Sequence, residues 1–387
     1  MSQQDSSTIV IPTGRFERFE QISWWDQQRL RDARVLVVGA GALGNEVVKN
    51  LSLLGVGNLA IADMDRIEES NLVRSVLFQA EDEGRFKAEV AAEGASRLYP
   101  DIRATALVGN ILGDVGLGWF RWADAVVGAL DNREARVFVN STCATLGKTW
   151  FDGGIEVLNG IVRGFSPPDS ACYECTMGQA DWDDLNQRRS CSLLARQAIQ
   201  HGGTPTTPTT ASVIGAIQAQ EVVKCLHGME HLAGTGFVFE GTKHNSFTIS
   251  MPKNDDCPWH EPPSPVATVE DINSDTSLSV IWNLATERLG GLDAIDLSRE
   301  LVTSLTCVHC NTTTDVYQPI HKITAEQAVC AVCNSELTPN FLHSIGDDSP
   351  VRSKTASEIG LPKWDIVWAR RGEQVLGIEL AGDCDRE

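Results

Sequence analysis

The sequence lacks any long apolar run and is poor in basic residues. Its first residues, Met1–Val10, are polar without an apolar signal core, and no stretch approaches the roughly 20 apolar residues of a membrane helix. The 32 basic residues are outnumbered by 52 acidic ones, which gives a formal net charge of −20. A nucleic-acid backbone requires a basic face, so nucleic acid is excluded as the main partner. We expect a cytoplasmic protein without a membrane partner.

The cysteine spacing is typical of metal sites rather than of disulfides, which are rare in a reducing compartment. Seven of the eleven cysteines fall into four Cys-x-x-Cys or Cys-x-x-His pairs. Two of these pairs, Cys307-x-x-Cys310 and Cys330-x-x-Cys333, are separated by 19 residues, which is zinc-ribbon spacing. Four thiolates complete a tetrahedral Zn²⁺ site, and a ribbon of this size would hardly fold without the metal.

Strand and helix patterns alternate through the first part of the chain. Such alternation predicts an α/β fold, with a doubly wound, Rossmann-like and mainly parallel sheet covered by helices on both faces. Strands are expected near 34–38, 58–63, 103–108, 125–129, 149–153, 160–165, 236–240 and 246–250, and helices near 43–54, 87–98, 133–146 and 211–226.

Composition shifts predict the domain organisation. A disordered lead (1–14) precedes a large domain (15–262), and a Pro-rich linker (263–277) precedes a small zinc-ribbon-containing domain (278–387). Inside the large domain, 178–210 has the composition of a loop. The small domain is expected to dock a partner. Its closing segment is predicted to be a hairpin turning near Arg371-Gly372, with three apolar residues of the second arm on one face: Leu376, Ile378 and Leu380.

A glycine-rich turn follows the first predicted strand. Gly39-Ala40-Gly41-Ala42-Leu43-Gly44 stands between the apolar run 34–38 and a predicted helix. Because glycine has no Cβ, such a turn lets backbone N–H groups and a helix N-terminus approach phosphates. Asp63 ends the next apolar run, where an acidic residue would bind a ribose hydroxyl. The alternative is an ordinary strand-to-helix turn, but the combination indicates a nucleotide site.

Residues further along indicate which chemistry follows. Asn71-x-x-Arg74 and Lys87 offer groups that hold phosphates and neutralise the charge on a departing pyrophosphate. Asp131 follows the apolar strand Ala125–Ala129, where an acidic residue faces the ligand crevice and could hold Mg²⁺. Each residue alone is typical of a surface salt bridge or a cap. Together they favour an adenylating enzyme over an NAD-dependent oxidoreductase or a non-catalytic binding module.

These motifs resemble those of the ThiF/MoeB and ubiquitin-activating enzymes, the family that activates ubiquitin-like modifiers. The resemblance covers well over half of the chain, from about Arg15 to Met251. No single motif is specific, but the combination is. The marks are Arg15-Phe16-Glu17-Arg18-Phe19, Gly39–Gly44, Asp63-x-Asp65, Ser70-Asn71-Leu72-x-Arg74, Lys87, Asp131-Asn132, Cys172-x-x-Cys175 and the helix Ile214–Lys224.

The resemblance implies ATP- and Mg²⁺-dependent adenylation of the C-terminal carboxylate of a ubiquitin-like protein by a homodimer. Asp63 would bind ribose, and Asp131 would hold Mg²⁺. Arg18 matches the arginine that family dimers supply to the partner's active site, although a surface charge is the alternative. The implied cofactor-binding residues are Gly39, Gly41, Gly44, Asp63, Asp65, Asn71, Arg74, Lys87, Asp131 and Asn132, of which Asn71, Arg74 and Lys87 would hold phosphates.

The mixed anhydride formed with AMP has a good leaving group, so a thiol can attack it and form a thioester. Cys191, beside Arg188 and Arg189 in the predicted loop, is the candidate nucleophile, because neighbouring cations favour the thiolate. It would hand the modifier to a conjugating enzyme. The alternative is a sulfur-carrier adenylyltransferase without a catalytic thioester. Fused sulfur donors carry a persulfide-forming cysteine loop, and none is recognisable in 265–387.

The resemblance also implies a structural zinc site. Cys172-x-x-Cys175 matches the family's first cysteine pair, and Cys257-x-x-His260 stands where the family has its second pair. Histidine is a competent tetrahedral ligand, so we expect Zn²⁺ held by three cysteines and one histidine. Four unrelated residues are the alternative. Outside the pairs, Cys143 and Cys225 are expected to be small core residues.

Overall fold

A sheet of eight strands organises the first part of the protein. The computed structural model describes residues 14–190 and 205–384. The sheet order is β3-β2-β1-β4-β5-β6-β7-β8, in which the first five strands are parallel and the last three are antiparallel. The strands are β1 Arg34–Val38, β2 Asn58–Asp63, β3 Arg103–Val108, β4 Ala125–Gly128, β5 Trp150–Glu156, β6 Asn159–Phe165, β7 Thr235–Glu240 and β8 Asn245–Ser250.

Helices cover both faces of this sheet, which is why β1 is a continuous apolar run rather than an alternating one. The helices are α1 Gln27–Asp32, α2 Ala42–Leu54, α3 Glu69–Leu72, α4 Lys87–Leu98, α5 Gly118–Trp122, α6 Arg133–Leu146, α7 Gln179–Ser190 and α8 Pro208–Leu226. Val35 and Val37 pack into a core shared with α2, α4 and α8, whereas Leu36 and Val38 face a core shared with α5 and α6. Within the described ranges, no helix has the length and apolar character needed to cross a bilayer.

The strand order reverses between β1 and β4, which are neighbours in the sheet. β2 and β3 lie on one side of β1, whereas β4 and β5 lie on the other. In open parallel sheets, ligands bind at the carboxyl ends of the strands on either side of such a reversal. The turn after β1 and the loop after β4 therefore border the expected crevice. The predicted doubly wound fold is confirmed.

The region predicted as a loop, 178–210, differs from that prediction at both ends. It begins with α7, a mostly polar helix that, among its side chains of described burial, packs Trp182 and Leu185 against the core. Its sequence therefore shows little apolar periodicity. α8 begins at Pro208 rather than near 211. Thr207 caps it by accepting a hydrogen bond from Thr210 N, and proline is well suited to a first helical turn.

A second sheet forms the C-terminal unit, residues 266–384. Its elements are β9 Val266–Val269, α9 Leu278–Leu289, β10 Ala294–Cys307, β11 Thr312–Pro319, β12 Thr338–Ile345, β13 Ile366–Arg371 and β14 Gln374–Leu380. The sheet order is β11-β10-β13-β14-β9, with β12 also paired to β10, and α9 packs on it over an apolar core. β9 pairs with β14 in parallel, so the predicted linker 263–277 contains a strand of this sheet.

The predicted closing hairpin is present as β13 and β14. Arg371 pairs with Gln374 next to the turn, and Ile366 pairs with Glu379 at the other end of the hairpin. Leu376, Ile378 and Leu380 share one core, as the sequence predicts. The hairpin is nevertheless not an exposed docking surface. β14 lies between β13 and β9, and most residues of both strands are buried.

The C-terminal unit shares a core with the large sheet. Ile366 and Trp368 of β13 pack into the same buried cluster as Phe120 of α5. Beside this cluster lies a fully buried ion pair, in which Arg299 Nη2 is 2.7 Å from Asp365 Oδ1. The two units therefore fold against each other over an apolar contact that encloses a charge pair.

Candidate active site

The glycine turn after β1 is held by contacts that only glycine permits. Gly39 has φ +100°, and a Cβ there would lie 2.3 Å from Ala129 O. A Cβ on Gly44 would lie 1.9 Å from Gly39 O, so the start of α2 packs directly on the turn. A Cβ on Gly41, by contrast, would have no described atom within 4 Å. The turn is thus closed towards the protein and open at Gly41, where phosphate groups would fit.

Asp63 lies beside this turn at the carboxyl end of β2. Its Oδ2 accepts a hydrogen bond from Ala40 N at 2.7 Å, and its Oδ1 accepts one from Asp65 N at 2.8 Å. Burial raises the pKa of Asp63, against the opposing effects of Lys87 and these two hydrogen bonds. The carboxylate is therefore fixed by the backbone in the place predicted for ribose binding.

Lys87 begins α4 and reaches back to the same edge. Its Nζ lies 2.8 Å from Asp65 Oδ2, and its own N–H donates to Asp65 O. The Lys87 side chain is largely buried, with 13% of its area exposed. Asp63, Asp65 and Lys87 are thus brought together. A phosphate at this place would compete with Asp65 for the Lys87 ammonium group.

Asn71 and Arg74 lie on and just after the short helix α3. Asn71 is buried, and its Oδ1 accepts a hydrogen bond from Glu68 N at 3.0 Å, so this side chain shapes the helix start. Arg74 is half-buried, and its Nη1 donates to Ser70 O at 2.8 Å. Of the two, Arg74 has the longer side chain and can turn its guanidinium towards a ligand without breaking the start of α3.

Asp131 and Asn132 follow β4 on the other side of β1. Asn132 caps α6 by accepting a hydrogen bond from Ala135 N at 2.8 Å, and its amide donates to Asp131 Oδ1 at 3.2 Å. Asp131 is exposed to solvent. A carboxylate held in this way at the strand end suits Mg²⁺, which prefers one or two carboxylates together with phosphate oxygens.

Arg18, a predicted catalytic residue, is not brought to this edge. Arg18 is exposed at the start of a 3-10 turn, near the Phe16 ring that packs on Tyr99 beyond the far end of α4. Its role in a partner's site stays a prediction. Cys191 lies outside the described residues, so its role as the nucleophile stays a prediction as well.

Sequence reasoning missed Asn45, which is fully buried directly behind the glycine turn. Its amide nitrogen donates to Ala40 O at 2.7 Å and to Gly41 O at 3.1 Å. Its Oδ1 accepts from Leu77 N at 2.9 Å. Asn45 therefore ties the turn to the segment that follows Arg74. The available signal was a polar residue inside an otherwise apolar helix face.

A second missed group supports the loop after β4. Arg136 of α6 donates to Leu130 O at 2.5 Å and to Gly153 O at 3.2 Å, which fixes the residue before Asp131. Its Nε also donates to the fully buried Asp152, which pairs with Arg163 as well. Two guanidinium groups thus neutralise one buried carboxylate beside the crevice.

Four donors converge where the first zinc site was predicted. Cys172 Sγ lies 3.8 Å from Cys175 Sγ and 3.5 Å from Cys257 Sγ, and Cys175 Sγ lies 3.0 Å from His260 Nε2. A tetrahedral zinc with Zn–S bonds of about 2.3 Å separates its sulfur ligands by about 3.8 Å. The donor set fits Zn²⁺ and leaves no position for water or substrate.

A second cluster lies in the C-terminal unit, at the end of β10 and in the loop before β12. Cys307 Sγ and Cys333 Sγ are 3.6 Å apart, and all four sulfur atoms lie within 4.8 Å of one another. This spacing also fits a four-thiolate zinc. The cluster comprises Cys307, Cys310, Cys330 and Cys333.

Comparison with known proteins agrees with this geometry. The ThiS adenylyltransferase of Escherichia coli is 30% identical over 234 residues, covering 60% of this chain and 87% of that protein. Ubiquitin-like modifier-activating enzyme 5 of Drosophila virilis is 26% identical and covers 59% and 57%. The Escherichia coli MccB–ATP structure, 20% identical with a TM-score of 0.53, covers 66% of this chain and 75% of its own, and so shares the fold. The ThiF family model matches residues 15–259, and the chain is therefore a member of this family of ATP-dependent adenylyltransferases.

Proposed function

We propose that this protein adenylates the C-terminal carboxylate of a small carrier protein with a ubiquitin-like fold. One observation carries the proposal. The glycine turn is open at Gly41, with the fixed carboxylate of Asp63 on one side and the exposed Asp131 on the other. That arrangement suits a mononucleotide whose phosphates lie across the strand reversal.

The chemistry follows from the groups at this edge. A carboxylate oxygen of the carrier attacks the α-phosphorus of ATP, the bond to the bridging oxygen breaks, and pyrophosphate leaves. Arg74 and Lys87 would neutralise the charge that develops on the leaving group. Asp131 would hold Mg²⁺, which supplies further charge neutralisation on the phosphate oxygens.

Among the possible carriers, a sulfur carrier has the broader support. The two adenylyltransferases named for sulfur carriers, from Escherichia coli and Thermus thermophilus, align over 87% and 83% of their own lengths. The activating enzyme from Drosophila virilis aligns over 57% of its length. The alternative predicted from the sequence is therefore the better supported one. The hypothesis of an NAD-dependent oxidoreductase has no support from the family.

The thioester route stays a second candidate because the C-terminal unit shows no cysteine loop that would donate sulfur to a carrier. Four of its five cysteines are gathered in one cluster that fits zinc, which leaves Cys384 as the remaining thiol there. This unit therefore offers no recognisable built-in sulfur donor. An adenylate formed here would pass either to a separate sulfur donor or to Cys191.

Carrier-dependent exchange of labelled pyrophosphate into ATP tests the proposed reaction. The wild-type chain should catalyse exchange with a carrier that ends in a free carboxylate and not with the same carrier amidated at its C-terminus. Asp131→Ala should lower the rate by about 100-fold or more, since metal-assisted charge neutralisation supplies several kcal/mol. Absence of exchange with every ubiquitin-fold carrier tried would overturn the proposal.

Cys191→Ala distinguishes the two fates of the adenylate. If the thioester forms, this variant should keep full exchange activity and lose a carrier adduct that reductant releases on a gel. The matched control is Cys384→Ala, which should keep both. Survival of the adduct in Cys191→Ala would show that another thiol carries it, and absence of any adduct in the wild type would favour the sulfur-carrier route.

A further inference from the structure

The loop between β3 and α5, residues 109–117, begins directly beside the ribose-binding position. Val108, the last residue of β3, is the register partner of Asp63. Gly109 N then donates to Asp63 O at 3.2 Å. The start of this loop is therefore fixed to the same residue whose carboxylate is proposed to bind ribose.

The order of the strands gives the direction in which a nucleotide extends. Phosphates belong at the glycine turn after β1, and ribose belongs at Asp63 after β2. Adjacent strands lie about 4.8 Å apart, so a molecule continuing in this direction places its base over the end of β3. The loop at 109–117 then bounds the base end of the nucleotide. This step rests on the proposed function.

Asp114 closes the first turn of the loop. Its Oδ2 accepts a hydrogen bond from Asn110 N at 2.9 Å, and its own N–H donates to Asn110 O at 2.8 Å. The Asn110 side chain in turn accepts from Leu112 N at 2.9 Å. The shape of this turn thus depends on the carboxylate of Asp114.

The same carboxylate is held from the C-terminal unit. His321 Nε2 lies 2.9 Å from Asp114 Oδ2, and Lys322 Nζ lies 2.5 Å from Oδ1. Burial acts to raise the pKa of Asp114, but the hydrogen bonds from His321 and Lys322 outweigh it, and the pKa lies well below its ordinary value. Asp114 is therefore held as an anion by His321 and Lys322, whose side chains reach it across the contact between the two units.

Packing holds one side of this part of the loop, because Ile111 is buried in the core and Gly113 lies against His321 and Pro319. A cavity of about 840 Å³ lies between β3 and the C-terminal unit, and Val108, Asp114 and Lys322 are among its lining residues. On the side that faces this cavity, the polar contacts of Asp114 hold the turn in place. Arg299 also holds the backbone within and just after this turn, since its buried guanidinium donates to Leu112 O and Val115 O.

We propose that Asp114 is a positioning residue, through which His321 and Lys322 of the zinc-ribbon-containing unit set the loop that bounds the base of ATP. The C-terminal unit then contributes to nucleotide affinity without touching the phosphates. Its contribution is confined to the base end, since no hydrogen bond or ion pair in the described part of the chain joins the glycine turn, Lys87 or Asp131 to these three residues.

Direct binding measurements on the full-length protein test this inference. The variants are Asp114→Asn and the double variant His321→Ala, Lys322→Ala. The control is Asp296→Asn, which removes a partly exposed ion pair with Arg370 inside the C-terminal unit. Both test variants should weaken ATP binding by about fivefold or more and leave tripolyphosphate binding within about twofold. The control should change neither.

Hydrogen exchange of peptides covering 109–117 supplies the second readout. Exchange there should become faster in both test variants and stay unchanged in the control, while peptides of β1 and α2 keep their protection. Equal weakening of ATP and tripolyphosphate would overturn the inference, because Asp114 would then act on the whole site. ATP binding like that of the wild type in both variants would overturn it and leave the proposed function intact. A wild-type chain that binds no ATP would overturn both.

Discussion

Gly41 and Gly44 belong to one turn, yet they are glycines for different reasons. At Gly44 a side chain would collide with the Gly39 carbonyl inside the protein. At Gly41 the backbone has φ −71°, which any residue adopts, and the space beyond is free of described atoms. The first constraint belongs to folding, whereas the open space at Gly41 is where we propose that the phosphate groups bind.

Substituting each glycine with alanine separates these constraints. Gly44→Ala should lower the free energy of unfolding by about 1–3 kcal/mol, as overpacking does, with a matching fall in melting temperature. Gly41→Ala should keep the wild-type melting temperature and weaken ATP binding, because its methyl group occupies phosphate space. Thermal unfolding and ATP titration of both variants check this. Unchanged ATP binding in Gly41→Ala would contradict the phosphate assignment.

The residues proposed to bind the nucleotide are easier to recognise in the sequence than the residues that support them. Asp63 and Asp131 stand at the ends of apolar strands, where position alone indicates a role. Asn45 and Arg136 act through backbone carbonyls of the glycine turn and of the loop after β4, and such partners have no sequence signature. Their roles required knowing which loops approach one another.

At the scale of elements, the strands and helices whose apolar residues form a clear pattern in the sequence were predicted almost to the residue. β1, β2 and β3 match the expected 34–38, 58–63 and 103–108. α7 was predicted as part of a loop and β9 as part of a linker, and both errors have the same cause. Neither segment has enough apolar residues in a regular pattern to indicate a helix or a strand. β9 is held by pairing with β14, which lies far away in sequence, whereas its local composition indicates a linker.

Each zinc cluster acts as a structural element, because its donors come from two separate segments of the chain that a bound metal would join. We expect two zinc ions per chain by metal analysis. His260→Ala should release one of them, whereas His260→Cys should retain it, since thiolate is an equivalent tetrahedral ligand. Replacing Cys307 and Cys310 with serine should release the other and unfold the ribbon. A wild-type count of one or none would contradict the ligand assignments.

The whole molecule is held together by the contact between its two units. Arg299 and Asp365 are each almost fully buried there, and Asp365 also accepts a hydrogen bond from Leu117 N at 2.9 Å. Every charged atom of the pair is used, including the two guanidinium bonds to Leu112 and Val115 carbonyls. The pair therefore fixes how the units dock.

Asp365→Ala should lower the free energy of unfolding by about 3–5 kcal/mol, because it leaves the Arg299 guanidinium buried without its partner. Asp347→Ala is the matched control, since Asp347 is an exposed carboxylate paired with the half-buried Arg352, and its loss should cost about 0–1 kcal/mol. Urea unfolding of both variants provides the comparison. Equal stabilities would contradict a structural role for the buried pair.

Gly116 and Gly118 press against the backbone and ring of Trp364, with no room for even a methyl group on either. The family match ends at residue 259, but the protein's folding unit does not. A recombinant fragment cut at that border would leave the Trp119 and Phe120 surface uncovered and prone to aggregate. The C-terminal unit cannot be grafted onto another member of the family unless the recipient carries the same small residues where Gly116 and Gly118 meet Trp364.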